Sequence, residues 1–231
     1  MNKTLLTALQ KTLGVRFKDP SLLEQAIIHS SYINENPGLS LDSNERLEFL
    51  GDAVLGFIVA RELFKRFPSL SEGEMTKLRS SVVCRNSMFH MSRDISLGNY
   101  LYLGKGEEAS GGRRKPANLA RALEAIIAAI FLDQGLAGAR NFILRVTGQE
   151  LDKRTEADYK SQLQELIQSR HQKTPSYQVI AVAGPEHSRR FTVEVRVGNN
   201  VLGRGIGKSK KAAEAEAARS ALAQLATNFT P

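Results

Sequence analysis

The chain has 231 residues and one cysteine, and its 32 lysines and arginines exceed its 24 aspartates and glutamates to give a formal net charge of +8. This length suits one large domain or two medium domains with a sizeable core. A single cysteine excludes an intramolecular disulfide framework, and the positive charge is compatible with a polyanionic partner. Because the N-terminus lacks a leader pattern and no uncharged apolar run is long enough to cross a bilayer, we expect a soluble, cytoplasmic protein with no membrane partner.

Helical patterns dominate residues 1–150. Apolar residues recur there with helical spacing, which predicts helices at residues 5–13, 20–28, 45–67, 72–80, 85–95 and 118–134. The helix at 45–67 is hydrophobic nearly all round, so we expect it to be buried. This half of the chain is therefore predicted to be all-α.

A glycine-rich stretch, Gly104 to Gly112, separates the last two of these helices and ends in Arg113, Arg114 and Lys115. Its composition predicts a mobile loop. Two interpretations of the basic run remain open, namely a solvated loop end and a contact with a nucleic-acid backbone.

The pattern changes after residue 150. Residues 151–158 are polar and lack a sustained apolar period, which predicts a linker. Beyond them we expect a helix at 159–169, strands at 177–183, 190–197 and 200–206, and an alanine-rich helix at 209–225. The second half is therefore predicted to be a small α+β domain with the order α-β-β-β-α.

The helix predicted at 45–67 carries acidic residues on one narrow stripe. At about 100° per residue, Glu45, Glu48 and Asp52 fall on the same side of this apolar helix. The equally apolar helix at 118–134 carries Glu124. An ordinary ion pair with Arg46 would explain one acidic pair, but four acidic positions on two apolar helices exceed what ion pairing requires. Buried carboxylates need a partner, and oxygen-only ligands favour Mg²⁺ or Mn²⁺ over Zn²⁺.

The start of the last predicted helix is basic. Lys208, Lys210 and Lys211 lie at or just before its first turn. Positive side chains, free backbone N–H groups and the helix dipole would all favour one anion at this point. A solvated basic cap is the alternative, and the α-β-β-β-α order favours the anion site.

Residues 44–52 read Asn-Glu-Arg-Leu-Glu-Phe-Leu-Gly-Asp. This segment closely resembles the signature of bacterial ribonuclease III, and the second half resembles the double-stranded RNA-binding domain that follows it in that family. The resemblance covers essentially the whole chain. It implies an all-α endonuclease and dimerisation domain at 1–150, a linker at 151–158, and an RNA-binding domain at 159–228.

The same resemblance implies an activity. It is the Mg²⁺-dependent hydrolysis of double-stranded RNA by a homodimer, with Mn²⁺ as a substitute metal, leaving 5′-phosphate and 3′-hydroxyl ends with short 3′ overhangs. The implied substrates are ribosomal RNA precursors and some messenger and transfer RNA precursors. Matching positions make Glu48, Asp52 and Glu124 metal ligands, with Asp52 and Glu124 catalytic. Glu45 and Glu72 match acidic positions near the site.

One position departs from the family pattern. The family usually has aspartate one turn before the catalytic glutamate, where this chain has Arg121. Arg121 either turns away and leaves water as the missing ligand, or bridges Glu48 and Glu124 and weakens metal binding. We expect activity to survive; the alternative is a duplex RNA-binding protein whose nuclease centre is impaired.

Further residues are assigned by the resemblance. Phe49 matches an aromatic residue that inserts into a pocket of the other subunit and so anchors the dimer. Contacts with duplex RNA are implied for two groups of residues in the second domain and for one loop residue: Ser161, Gln164 and Glu165 in its first helix, His187 in a loop, and Lys208, Lys210 and Lys211.

Overall fold

The computed structural model of the chain describes residues 3–68, 70–185 and 188–227, and the side chains of 149–158, 170–171 and 226–227 lie outside that description. The chain divides into two compact units, Met1–Gln149 and Glu150–Pro231. The first is helical and the second combines helices with an antiparallel sheet, so the predicted fold class is confirmed.

The first unit consists of helices in chain order. Their bounds are α1 Lys3–Leu13, α2 Pro20–Ala26, α3 Ser30–Glu35, α4 Glu45–Arg66, α5 Glu72–Val82, α6 Arg85–Asp94, α7 Lys105–Ala109 and the first part of α8 Pro116–His171. Short 3-10 turns lie at Leu97–Tyr100 and Gly112–Arg114. The helices α3 and α7 were not predicted, because six and five residues are too few for a helical period to be recognised.

The first part of α8 forms the centre of this unit. Its side chains at Ala122, Leu123 and 125–130 are completely buried. Pro116–Gly148 is long and apolar enough to cross a membrane, by length and composition alone. The core helix of a globular domain has the same length and composition, and most of the apolar side chains of this segment are buried inside the unit. The helix is interrupted at Gly135, whose φ of 71° lies in the left-handed region that glycine adopts without a steric penalty.

The sequence predicted a buried helix at 45–67, but one side of α4 is exposed. Leu47, Leu55 and Ile58 are buried, whereas Phe49, Phe57 and Phe64 are 81%, 54% and 72% exposed. The apolar residues all round the helix therefore serve two surfaces. One is the core of the unit, and the other is an exposed aromatic face.

The prediction of a mobile loop at Gly104 to Gly112 is wrong, because this stretch is folded into α7 and a 3-10 turn. The Glu35 carboxylate accepts hydrogen bonds from the backbone N–H groups of Lys105 and Gly106 at 2.7 and 3.2 Å. The guanidinium of Arg113 donates to the carbonyl groups of Gly98 and Leu101 and pairs with Glu108. Side-chain contacts distant in sequence stabilise this stretch, and a local composition rule does not detect them.

The second unit contains the end of α8, then β1 Ser176–Ala183, β2 Arg190–Val197, β3 Asn200–Gly207 and α9 Lys210–Thr227. The sheet is antiparallel throughout, with the order β1-β2-β3. Residues 151–158, which the sequence predicted to be a linker, have helical backbone within α8. No glycine or proline occurs between 149 and 174, so nothing in this polar segment interrupts a helix.

The helix α9 packs on β3 through backbone rather than through large side chains. Gly203, Gly205 and Gly207 alternate along β3 and face α9, where a Cβ atom on any of them would overlap with backbone atoms around Ala213, Ala217 or Ala221. All three alanines, Ala213, Ala217 and Ala221, are completely buried. The small residues therefore permit an unusually close approach of helix and strand.

Candidate functional site

The helices α4 and α8 cross at a glycine. A Cβ atom at Gly51 would overlap with the backbone carbonyl of Glu124, so only glycine permits this separation of the two helices. Glu48 and Asp52 flank Gly51 on α4, and Glu124 lies at the crossing point on α8. The crossing therefore brings the acidic residues of the two helices together.

The electrostatics of these carboxyl groups reflect their proximity. Burial raises the pKa of Glu124 to about 7, and the charges of Asp52 and Glu48 act in the same direction. Burial also raises the pKa of Glu48, and Glu45 and Asp52 add to this effect. Each group is thus easier to protonate because it shares a partly desolvated space with other carboxylates. Such a group of acids is suited to bind a cation.

Arg121 enters the same group of acids. Its Nε lies 3.4 Å from Oε1 of Glu48, and its charge lowers the pKa values of both Glu48 and Glu124 against the effect of burial. The structure shows an ion pair with Glu48 and none with Glu124 in the described residues. Of the two alternatives that the sequence left open, Arg121 therefore neither turns away from the site nor bridges both glutamates. The charge of Arg85, at the start of α6, also lowers the pKa of Glu124 against the effect of burial.

The other predicted acidic residues differ in position. Glu45 is close enough to raise the pKa of Glu48 and accepts a hydrogen bond from the Ser43 hydroxyl at 2.9 Å. Glu72 instead begins α5, accepts a hydrogen bond from Thr76 at 2.8 Å and lines a groove described below. Within the described ranges, no three His, Cys, Asp or Glu side chains are already arranged to hold a metal ion.

An apolar groove lies between α4 and α5. Its volume is about 390 Å³, and its walls are formed mainly by aromatic, aliphatic and long polar side chains: Phe57, Ala60, Leu63, Phe64, Met75 and Arg79, together with Glu72. Phe49, which lies on α4, projects from the surface with 81% of its area exposed. The first unit thus presents both an exposed aromatic ring and an open apolar groove.

The predicted RNA contacts of the second unit lie on its exposed surface. Ser161, Gln164 and Glu165 are exposed on the side of α8 opposite to the buried Leu163 and Ile167. The three side chains therefore share one exposed helical face. His187 lies outside the described residues.

The three predicted lysines lie where β3 turns into α9. Lys208, Lys210 and Lys211 are all exposed. The hydroxyl of Ser209 accepts a hydrogen bond from the backbone N–H of Ala212 at 3.1 Å, which is the capping contact that starts a helix. The cap fixes the lysines around the first turn of α9.

A helical unit with convergent carboxylates, joined to an α-β-β-β-α unit with a basic helix start, defines the class of nucleases that carry a double-stranded RNA-binding domain. Two family models match the chain accordingly. Residues 19–150 match the model described as Ribonuclease-III-like, and residues 159–225 match the double-stranded RNA binding motif. The chain belongs to the ribonuclease III family, the double-strand-specific endoribonucleases.

Curated relatives agree over nearly the whole length. Ribonuclease 3 of Dehalococcoides mccartyi strain 195 is 51% identical over 229 residues, covering 97% of each chain. Ribonuclease 3 of Roseiflexus sp. strain RS-1 is 49% identical and covers 94% of each chain. The resemblance found in the sequence is thereby confirmed, and the binding-only alternative receives no support.

Solved structures match the first unit. The nuclease domain of ribonuclease III from Campylobacter jejuni, in a 2.2 Å crystal structure, has a TM-score of 0.58 at 37% identity, covering 65% of this chain and 97% of that domain. A second structure of that domain has a TM-score of 0.57 at 39% identity, covering 62% of this chain and 95% of the other, and is described as flexible in a region involved in dimer formation.

Sequence reasoning did not assign a role to Gly51 or Arg85. A glycine in the middle of a helix costs about 1 kcal/mol relative to alanine, so Gly51 signals a close approach of another backbone. Arg85 carries no comparable signal, because its proximity to Glu124 depends on how α6 packs.

Proposed function

We propose that this chain cleaves duplex RNA at a divalent metal centre formed by Glu48, Asp52 and Glu124, with Mg²⁺ as the cation and Mn²⁺ as a substitute. The observation that carries the proposal is the crossing of α4 and α8 at Gly51, which joins carboxylates of two helices and raises the pKa of Glu124 to about 7. The products are 5′-phosphate and 3′-hydroxyl ends with short 3′ overhangs, as the family resemblance implies.

The donor chemistry fits a hard cation. All three candidate ligands are carboxylates, which suit Mg²⁺ and Mn²⁺. Burial, and then neighbouring carboxylates, raise the pKa values of Glu48 and Glu124, and a bound cation would neutralise the negative charge that these groups share. When bound, the metal supplies activation of a water nucleophile and stabilisation of charge on the leaving oxygen.

The chain's own residues prepare the site. Glu48 must turn from Arg121 to offer its carboxylate, and Glu124 must release its proton, which its pKa of about 7 permits near neutral pH. Asp52 is exposed and thus faces the side from which substrate enters. Asp52 and Glu124 are accordingly the residues to which we assign catalysis, and Glu45 supports them by its position next to Glu48.

The second unit supplies duplex recognition. We assign minor-groove contacts to Ser161, Gln164 and Glu165, and phosphate contacts to Lys208, Lys210 and Lys211. Two exposed surfaces on one small domain suit A-form RNA, which is recognised mainly by shape across successive grooves. The family resemblance adds His187 as an RNA contact, and ribosomal and some messenger and transfer RNA precursors as substrates. From the sequence we also propose the cytoplasm as the location.

We further propose a homodimer in which Phe49 of each copy enters the groove between α4 and α5 of the other. An aromatic ring exposed by 81% and an apolar groove of about 390 Å³ on one unit form a self-complementary pair, as a two-fold interface requires. Glu72 lines the same groove, so the dimer brings it next to Phe49, and therefore near Glu48, of the other copy. The proposed dimer would therefore give Glu72 a place near a carboxylate group of the other copy, although Glu72 begins a different helix from those that carry Glu48, Asp52 and Glu124 in its own chain.

A cleavage assay tests the activity. A labelled RNA hairpin is incubated with the protein in Mg²⁺, Mn²⁺, Ca²⁺ or chelator, and products are separated on a denaturing gel. Discrete metal-dependent cuts should appear, should disappear in Glu124→Gln, and should persist in the control Asp42→Asn, which changes an exposed carboxylate in the same unit. Bound but uncut RNA under every metal condition would contradict the proposal.

A further inference from the structure

Arg121 is a cation within a group of carboxylates, and its contact there is loose. The separation of 3.4 Å between its Nε and the Glu48 carboxylate exceeds the usual length of a charge-assisted hydrogen bond. The guanidinium is 51% exposed, and the Glu48 side chain 27%. An ion pair of this length and exposure contributes little stability, so Arg121 can exchange Glu48 for a better anion at low cost.

The charge balance indicates how many cations the group needs. The charged groups that act on one another here are four carboxylates, at Glu45, Glu48, Asp52 and Glu124, and two guanidinium groups, at Arg85 and Arg121. When all four carboxylates are ionised, these groups sum to a charge of −2. One divalent cation neutralises this sum. A second divalent cation would raise the same group to +2, so this cation would be repelled. The guanidinium of Arg121 therefore supplies positive charge that a second metal ion would otherwise provide.

Phosphate is the anion that this guanidinium best suits. Arginine presents a planar fork of N–H donors that matches phosphate oxygens, and charge-assisted pairs of this kind are shorter and stronger than neutral hydrogen bonds. A substrate phosphodiester has to reach the group from its solvent-exposed side, and the Arg121 side chain is exposed there. We propose that Arg121 binds a phosphate of the RNA strand at the centre and takes the place of a second divalent cation, so that each centre holds one metal ion.

This inference rests on the metal centre proposed above, and two events are linked in it. Glu48 turns to the cation, and Arg121, released from Glu48, turns to the phosphate. The exchange gives both Glu48 and Arg121 a partner of opposite charge in each state. In this proposal Arg121 binds the substrate directly, through contact between its guanidinium and the RNA phosphate.

Four full-length variants separate charge from geometry. Arg121→Gln removes the positive charge. Arg121→Lys keeps this charge but lacks the planar fork of N–H donors, and Arg121→Asp reverses the sign of the charge. Lys11→Gln removes one exposed positive charge on α1 and serves as the control. The number of Mn²⁺ ions bound per chain is measured by calorimetric titration without RNA. The affinity for an RNA duplex is measured over a range of salt in Ca²⁺, with intact RNA verified on a denaturing gel.

The wild-type chain should bind one Mn²⁺, and Arg121→Asp should bind two. In the RNA assay, Arg121→Gln should bind about tenfold more weakly, with a slope of log affinity against log salt reduced by about 1. Arg121→Lys should recover the slope but only part of the affinity, because a point charge replaces the fork. Lys11→Gln should match the wild type in metal number and affinity.

Two results would overturn the inference while leaving the metal centre intact. One is two Mn²⁺ ions at the centre of the wild-type chain. The other is one Mn²⁺ ion together with unchanged RNA affinity and salt slope in Arg121→Gln. A wild-type chain that binds no Mn²⁺ would instead remove the metal centre itself, and the role of Arg121 with it.

Discussion

The carboxyl of Glu124 titrates in an unusual range because it is partly buried beside Asp52 and Glu48, which raises its pKa to about 7 from an ordinary value of 4.5. Between these two pH values the folded chain holds a proton on Glu124 that the unfolded chain has released. The free energy of unfolding therefore falls as pH rises through this window. The same group is fully ionised, and ready for a cation, only above it.

This predicts the behaviour of Glu124→Gln in thermal unfolding. With chelator present, the melting temperature of the wild-type chain should fall between pH 5 and pH 8, and the fall should be smaller in the variant, because glutamine does not titrate. Mn²⁺ added at pH 8 should raise the melting temperature of the wild type and have less effect on the variant. Parallel pH profiles for the two proteins would contradict the assigned pKa.

Gly51 and Gly56 provide a matched pair on α4. A Cβ at Gly51 overlaps with the Glu124 carbonyl, whereas a Cβ at Gly56 meets no atom within 4 Å. Alanine in an open helical position should stabilise by about 1 kcal/mol, so Gly56→Ala should unfold at higher denaturant concentration. Gly51→Ala should unfold at lower concentration and lose RNA cleavage, because the helices must separate. Wild-type cleavage by Gly51→Ala would show that the close crossing is not required.

At the scale of elements, the packing of α9 on β3 should be equally sensitive. A Cβ at Gly205 would overlap with backbone at Ala213 and Ala217, so Gly205→Ala should displace α9 and the lysines at its start. We expect weaker binding of an RNA duplex and a lower unfolding temperature of the second unit. Gly148→Ala, where a Cβ meets open space, is the control and should bind RNA as the wild type does.

Regular elements were predictable wherever one face is apolar over enough residues. The strand at 190–197 was predicted with its observed bounds, since Phe191, Val193 and Val195 alternate with polar residues. The same periodicity revealed the acidic stripe on α4 and Glu124 on α8. It did not reveal that the helices meet at Gly51, because the crossing depends on backbone packing rather than on a repeat.

Other features depend on partners that a local pattern does not contain. Phe49, Phe57 and Phe64 have the composition of core residues, yet they are exposed because the surface they suit belongs to a different molecule in our proposal. The stretch 104–115 is rich in glycine, yet Glu35 from α3 fixes its backbone. Hydrophobicity and glycine content predict burial and mobility only when such distant contacts are absent.

At the scale of the whole molecule, the proposed dimer depends on one aromatic anchor per copy. Phe49→Ala should raise the dimer dissociation constant by about tenfold or more, because a few buried aromatic anchors carry most of the binding free energy of an interface. Sedimentation velocity over a concentration series measures this change. Leu132→Ala, which truncates another exposed apolar side chain, should leave the dimer unchanged.

The groove should respond in the same way as the ring. Met75→Ala removes a wall of the groove on α5, a different helix from that of Phe49, and should also favour monomers. A dimer that persists in both Phe49→Ala and Met75→Ala would exclude this mode of association.

The contact of glycine with alanine between β3 and α9 also affects how the RNA-binding unit tolerates change. The backbone of β3 at Gly203, Gly205 and Gly207 lies directly against the backbone of α9. The distance between the sheet and the first turn of α9 therefore does not depend on the size of core side chains. The span from Lys210 and Lys211 to the exposed face at Gln164 is then a property of the main chain. Substitutions elsewhere in the core can accumulate without altering the width of RNA groove that the domain accepts.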